Sequence, residues 1–158
     1  MPDAKDQTGV LFVCLGNICR SPLAEGIFIH LARERGVLDR FRVDSCGTGG
    51  WHAGERADPR SIAVAAKYGI ELPSIARKFD PRRDPVDFHW LIPMDRQNHR
   101  DLLDHGVPGE KLRLMLDYHP ELKSGEVPDP YYGGPDGFDK VYEMLRIASE
   151  RMLDDLSR

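Results

Sequence analysis

The sequence is short of cysteine, of long apolar runs and of any excess of positive charge, and each shortage narrows what the chain can be. Its 158 residues hold three cysteines, Cys14, Cys19 and Cys46. A small, odd number argues against a disulfide-built secreted scaffold. It suits a reducing, cytoplasmic setting in which thiols stay free. No run approaches the ~20 apolar residues of a membrane span, and the opening MPDAKDQTG has no apolar signal-peptide core, so no membrane association is expected. The formal net charge of −4 offers no basic stripe of the kind that nucleic-acid binding needs. With 41% hydrophobic and 30% charged residues the composition is that of an ordinary globular protein. The length suits one domain around one core. There is no repeat, low-complexity tract or linker. Residues 1–8 read as a frayed polar tail and 9–158 as a single domain, with a monomer as the default.

What is present begins with an apolar run, Gly9 to Val13, short and partly β-branched, as in a strand buried on both faces. It stops at Cys14. Turn residues Gly16 and Asn17 follow. Ser21-Pro22 reads as a helix start with Ser at N-cap and Pro at N1, and Glu25 is placed to favour the first turn electrostatically. Leu23, Ile27, Phe28 and Leu31 then recur at helical spacing up to Gly36. Phe41–Ser45 is a second strand candidate, followed by a glycine-rich loop. A helix is expected from Pro59 to Tyr68. Residues 72–86, with three prolines and many charges, read as irregular. Phe88–Ile92 is a third strand, Asp95 to His105 a helix, and Leu112–Leu116 a fourth strand or short apolar bridge. Residues 117–137 form a loop long enough to suggest function. Phe138, Val141, Leu145, Ala148 and Met152 line one face of a last helix. Strands alternating with helices favour a parallel sheet covered on both faces.

The segment that carries chemistry is Cys14-Leu15-Gly16-Asn17-Ile18-Cys19-Arg20-Ser21. It runs from a strand end through a tight turn into a helix. Successive amides in such a turn form an anion nest, and the helix N-terminus adds the positive end of its dipole. Arg20 supplies a planar fork that matches two phosphate oxygens. These positive surroundings favour thiolate over thiol at Cys14. A thiolate facing a bound phosphate is poised for in-line attack, a reaction that needs mainly positioning and charge stabilisation. The Ser21 hydroxyl is placed to donate to the sulfur. A carboxyl group must then protonate the leaving group and later activate water. Asp129, in the long loop and held extended by Pro130, is the best candidate. Asp-Pro pairs are usually turns, however, and Asp58-Pro59 and Asp84-Pro85 compete with it.

Blander readings exist for each feature. A lone cysteine at a strand end is commonly a small buried hydrophobe; the C-x5-R-S spacing and its strand-to-helix setting argue otherwise here. Cys14, Cys19, Cys46 and His52 make a poor zinc set, because no second paired set of ligands exists. Neither a metal nor a cofactor is expected.

At this point the chain resembles a known family. VCLGNICRSP is similar, almost residue for residue, to the phosphate-binding loop of the low-molecular-weight protein tyrosine phosphatases. VDSCGTGGWHAGERADPRS at 43–61, MDRQNHRDL at 94–102 and PDPYYGGPDGF at 128–138 look like bacterial members. The resemblance implies that Cys14 forms a phosphocysteine, and that Arg20 and the loop Leu15, Gly16, Asn17, Ile18, Cys19, Arg20 and Ser21 bind the phosphate. It makes Asp129 acid and then base. It implies that Asn17, Ser21 and Ser45 brace the loop, and that Trp51, Tyr131 and Tyr132 wall a slot suited to phosphotyrosine. Tyr131 and Tyr132 are phosphorylated in some relatives. Cys19 matches a second cysteine expected to capture oxidised Cys14 as a disulfide. Ile75 stands where many members have a His that supports the loop Asn, which puts that bracing in question. The expected fold is α/β, a single three-layer domain whose four-stranded parallel sheet has order 2-1-3-4 and helices on both faces. The expected partner is a phosphotyrosine-containing protein, such as a bacterial tyrosine kinase. Arsenate reduction on the same fold would need cysteines beyond Cys46, and there are none. Phosphoarginine phosphatases of the family tend to carry Thr where Ile18 stands, and Ile should crowd a guanidinium-type substrate.

Overall fold

The computed structural model describes residues 6–131, 133, 134 and 136–158. Strand β1 (Thr8–Cys14) is central, with β2 (Phe41–Gly47) on one side and β3 (Trp90–Pro93) on the other. Both pairings are parallel. β1 is buried on both faces, as its continuous apolar run requires. Side chains alternate across a strand, so Val10 and Phe12 enter one apolar core while Leu11 and Val13 enter another. Helices α1 (Arg20–Glu34), α2 (Pro59–Lys67) and α5 (Asp136–Leu156) cover the first face. Phe28 bridges that layer, with its ring 5.8 Å from Phe12 and 5.2 Å from Phe41. The one-turn α3 (Asp84–Asp87) leads into β3, and α4 (Arg96–Asp104) lies on the second face. There Leu102 joins Phe79, Phe88 and Leu91.

Among the described residues the sheet has three strands, not four. Position four shrinks to a single parallel bridge between Leu91 and Leu112. Short 3-10 turns at Gly109–Lys111 and Met115–Tyr118 leave only three extended residues between them. The apolar character of LRLML has another use: Met115 and Leu116 are buried in the core shared with α5. The order 2-1-3 is as expected. β1 starts at Thr8, inside the stretch read as a tail, because Thr8 pairs with Phe41; residues 1–5 lie outside the described residues.

The helix start at Ser21 is also corrected. α1 begins at Arg20 with Cys19 at N-cap, because the Ser21 hydroxyl is engaged below the loop and does not cap. Glu25 does not serve the first turn either; it is buried and accepts a hydrogen bond from Ser45. By contrast, α4 carries a complete capping box between Asp95 and Asn98, and α2 opens with Asp58 at N-cap and Pro59. Among the described residues no helix is long and apolar enough to cross a membrane.

Candidate active site

The chain turns back across the sheet after β1, so the C-terminal end of β1 lies at the point where strand order reverses. Open α/β sheets place ligands in the crevice at that point. Cys14 ends β1 there, and the next five residues form the loop into α1. Three carbonyls of the segment are tied outward: Cys14 O accepts from Thr48 N, Leu15 O from Gly49 N and Ile18 O from Asp58 N, at 2.9, 2.9 and 2.8 Å. Peptides are planar and trans, so the amides of Leu15, Gly16 and Cys19 point the opposite way, toward the loop's centre. That arrangement suits the anion nest expected from the sequence.

Asn17 gives the loop its turn. Its φ of 57° is left-handed, a conformation Asn tolerates better than most residues. Its side chain is used fully. Nδ2 donates to Ser21 Oγ at 2.8 Å and to Ser45 Oγ at 2.9 Å, and Oδ1 accepts from Arg77 N at 3.0 Å. The bracing that Ile75 put in question is therefore supplied by backbone and hydroxyl groups. Ile75 itself is exposed and bridges to Arg56. Ser21 Oγ lies 3.0 Å from Cys14 Sγ. Ser45 donates to Glu25 Oε1 at 2.6 Å, so an unbroken line of hydrogen bonds runs from the Cys14 sulfur to a buried carboxyl group. Burial pushes the Glu25 carboxyl up to about 7, against the pull of Ser45.

Above the loop is a cleft of about 330 Å³ lined by Cys14, Leu15, Gly16, Ile18, Cys19, Arg20, Trp51, His52, Asp129 and Tyr131. Arg20 is buried, and its Nη1 donates to Asp95 Oδ2 at 2.7 Å and to Val127 O at 2.9 Å. Its Nη2 stands 3.8 Å from Asp129 Oδ2. Burial works against the guanidinium charge, but Cys14, Asp95 and Asp129 outweigh it and hold Arg20 protonated. Trp51 is 72% exposed and forms a projecting wall. The other two cysteines are buried as well. Burial, with Asp58 adding to it, pushes Cys19 to about 12, and burial likewise raises Cys46 well above the ordinary value. Both are held as thiols.

A model of the low molecular weight phosphotyrosine protein phosphatase family matches residues 9–158. The chain belongs to that family. It is 42% identical to the low molecular weight phosphotyrosine protein phosphatase of Schizosaccharomyces pombe, over 94% of this chain and 96% of that one. It is also 42% identical to a low molecular weight protein-tyrosine-phosphatase of Streptomyces coelicolor, over 91% and 90% of the two chains. Among solved structures, a protein tyrosine phosphatase from Entamoeba histolytica with Hepes in its active site superposes with a TM-score of 0.90. It is 37% identical, with 96% of this chain and 97% of that one covered.

Against the sequence reading of this phosphatase-family chain, the cleft gathers Cys14, the loop residues, Arg20, Asp129, Trp51 and Tyr131, with Asn17, Ser21 and Ser45 directly beneath. Tyr132 lies outside the described residues. The competing Asp-Pro acids sit elsewhere: Asp58 caps α2, and Asp84 holds Arg77 through two bonds of 3.0 and 3.1 Å. Four residues were not placed in this site by the sequence reading. Asp95 holds Arg20; in the sequence it marked only the start of a helix. His52 lines the cleft, its Nδ1 2.6 Å from Glu55 Oε2. Glu25 lies at the end of the bracing line. Arg60 reaches the Asp129 loop. Only the proximity of His52 to Trp51 in the sequence hinted at any of them.

Proposed function

We propose that this chain hydrolyses phosphotyrosine in proteins through a phosphocysteine intermediate. What carries the reading is one cleft holding a strand-end cysteine, a buried arginine, a carboxylate and two exposed aromatic rings. The phosphate oxygens sit on the loop amides and the Arg20 fork. Cys14 Sγ attacks phosphorus in line as the P–O bond to the tyrosine breaks, and Asp129 gives its proton to the departing phenolic oxygen. Asp129 then takes a proton from water, which attacks the phosphocysteine. The sulfur leaves as thiolate, with the Ser21 hydroxyl donating to it. Asp95 and Val127 O hold Arg20 in plane, so the fork needs no ordering when phosphate arrives. The names borne by the relatives point the same way, and Trp51 and Tyr131 suit a planar ring. The proposed partner is a phosphotyrosine-bearing protein such as a tyrosine kinase.

The test is a panel of phosphotyrosine, phosphoserine and phosphoarginine peptides run beside arsenate, with Cys14→Ser as control. Turnover of phosphotyrosine alone, abolished in a folded Cys14→Ser protein, is the expected result. Phosphoarginine or arsenate turned over faster than phosphotyrosine would overturn the substrate, and substantial residual turnover in Cys14→Ser would overturn the nucleophile.

A further inference from the structure

Asp129 hangs between two carbonyl groups, each two residues away and each held by an arginine. Arg20 Nη1 donates to Val127 O at 2.9 Å, and Arg60 Nη1 donates to Tyr131 O at 3.0 Å. Pro128 and Pro130, between these anchors, have fixed φ, so little freedom is left in the span. The Tyr131 amide donates to Asp129 Oδ1 at 3.0 Å. Where Tyr131 goes, the carboxylate follows.

Arg60 is itself anchored to the phosphate loop. The buried Asp58 carboxylate accepts from Arg60 N at 2.8 Å and from Nε and Nη2 at 3.0 Å each. The Asp58 amide donates to Ile18 O at 2.8 Å. These bonds hold the Asp58 carboxyl below its ordinary range, the Arg60 side chain contributing most. The guanidinium lies over the rings of Tyr131 and Phe138, with centroids 5.2 and 4.7 Å away. A bidentate fork toward Asp58 that still has a free arm for Tyr131 is a geometry only arginine offers. Arg60 does not line the cleft.

We propose that Arg60 is a positioning residue for the proton-transfer step: it relays the placement of the phosphate loop, through Asp58, to Tyr131 and Asp129. This rests on the reading of Asp129 as the acid. Its consequence is kinetic. A loop that loses this anchor still binds phosphate on the Arg20 side, because Val127 and the nest are untouched. What suffers is donation to a leaving oxygen that cannot depart without a proton.

The experiment measures kcat and KM for aryl phosphates from good to poor leaving groups, in wild type, Arg60→Ala, Arg60→Lys, Asp129→Ala and Arg60→Ala/Asp129→Ala. Arg60→Ala leaves Asp58 without its partner, so thermal melts accompany it; Arg60→Lys keeps a charge beside Asp58 but has no fork to span both partners. Misplacing a catalytic group by about 1 Å costs up to roughly a hundredfold. A kcat loss of roughly tenfold on phenyl phosphate, under about threefold on dinitrophenyl phosphate and with KM nearly unchanged, is therefore expected in both Arg60 variants. The double variant should lose no more than Asp129→Ala. A uniform loss or wild-type values across the series in folded Arg60 variants, or multiplied losses in the double variant, overturn the proposal and leave the acid in place. An Asp129→Ala protein indifferent to leaving group overturns the acid and the proposal together.

Discussion

At the residue scale, the buried carboxyl of Glu25 links the site to stability. In the folded chain it keeps its proton to about pH 7, while the ordinary value is 4.5. Between those values the folded state binds a proton that the unfolded chain has released, so stability falls as pH rises through the window and the loss is complete above the folded value. The upper bound of the effect is roughly 3 kcal/mol. Glu25→Gln removes the charge and leaves an oxygen to accept from Ser45. Urea midpoints of the two proteins should nearly coincide at pH 5 and diverge in favour of the variant at pH 8; a constant difference at both pH values would contradict the assignment. None of this was legible in the sequence, where Glu25 looked like any acidic residue near a helix start. Its burial depends on β2 bringing Ser45 across, a contact between residues twenty positions apart. Cys14, Arg20 and the turn at Asn17 were legible because their chemistry is contiguous in the chain. The choice of Asp129 over the other Asp-Pro acids came only with the family's motif, since the cleft that separates them is a product of folding.

At the scale of elements, the junction of β1, its loop and β2 allows almost no room. A Cβ built on Gly47 would lie 2.7 Å from Leu15 O and 2.9 Å from Gly49 O, both backbone atoms. Gly47→Ala must therefore push the carbonyl of Leu15, and with it the Leu15–Gly16 peptide whose amide belongs to the proposed phosphate site. Turnover is expected to fall roughly tenfold to a hundredfold, with KM for aryl phosphate rising; steady-state kinetics on a folded variant check this, and unchanged constants would show that the loop is not held from that side. Strand and helix positions followed from periodicity and turn residues, since those signals are local. The boundaries that moved did so for tertiary reasons. α1 begins two residues earlier than read because Ser21 is spent on Asn17 and Cys14, and the fourth strand is reduced to a bridge because Met115 and Leu116 bury themselves against α5.

At the scale of the whole molecule, the proposed phosphate site couples binding to folding. The loop's amides, the Arg20 guanidinium and the start of α1 converge only when β1, β2 and the 127–131 segment are in place; the unfolded chain has no such site. A ligand that binds only the folded state stabilises it by RT ln(1 + [L]/Kd), about 2.7 kcal/mol at about 100 times Kd. For a domain of this size each kcal/mol moves Tm by roughly 2–4 °C. Inorganic phosphate at that excess should thus raise the melting temperature by roughly 5–10 °C. Arg20→Ala should lose most of that shift, since it removes the fork that grips two oxygens, whereas Cys14→Ser should keep it, since the nest and the fork survive. Asp129→Ala should keep it too, and gain from losing a negative neighbour 3.8 Å from Arg20. Calorimetric scans of the four proteins with and without phosphate decide the matter. An Arg20→Ala protein that is stabilised as strongly as wild type would place the anion elsewhere, and the cleft would no longer account for phosphate recognition.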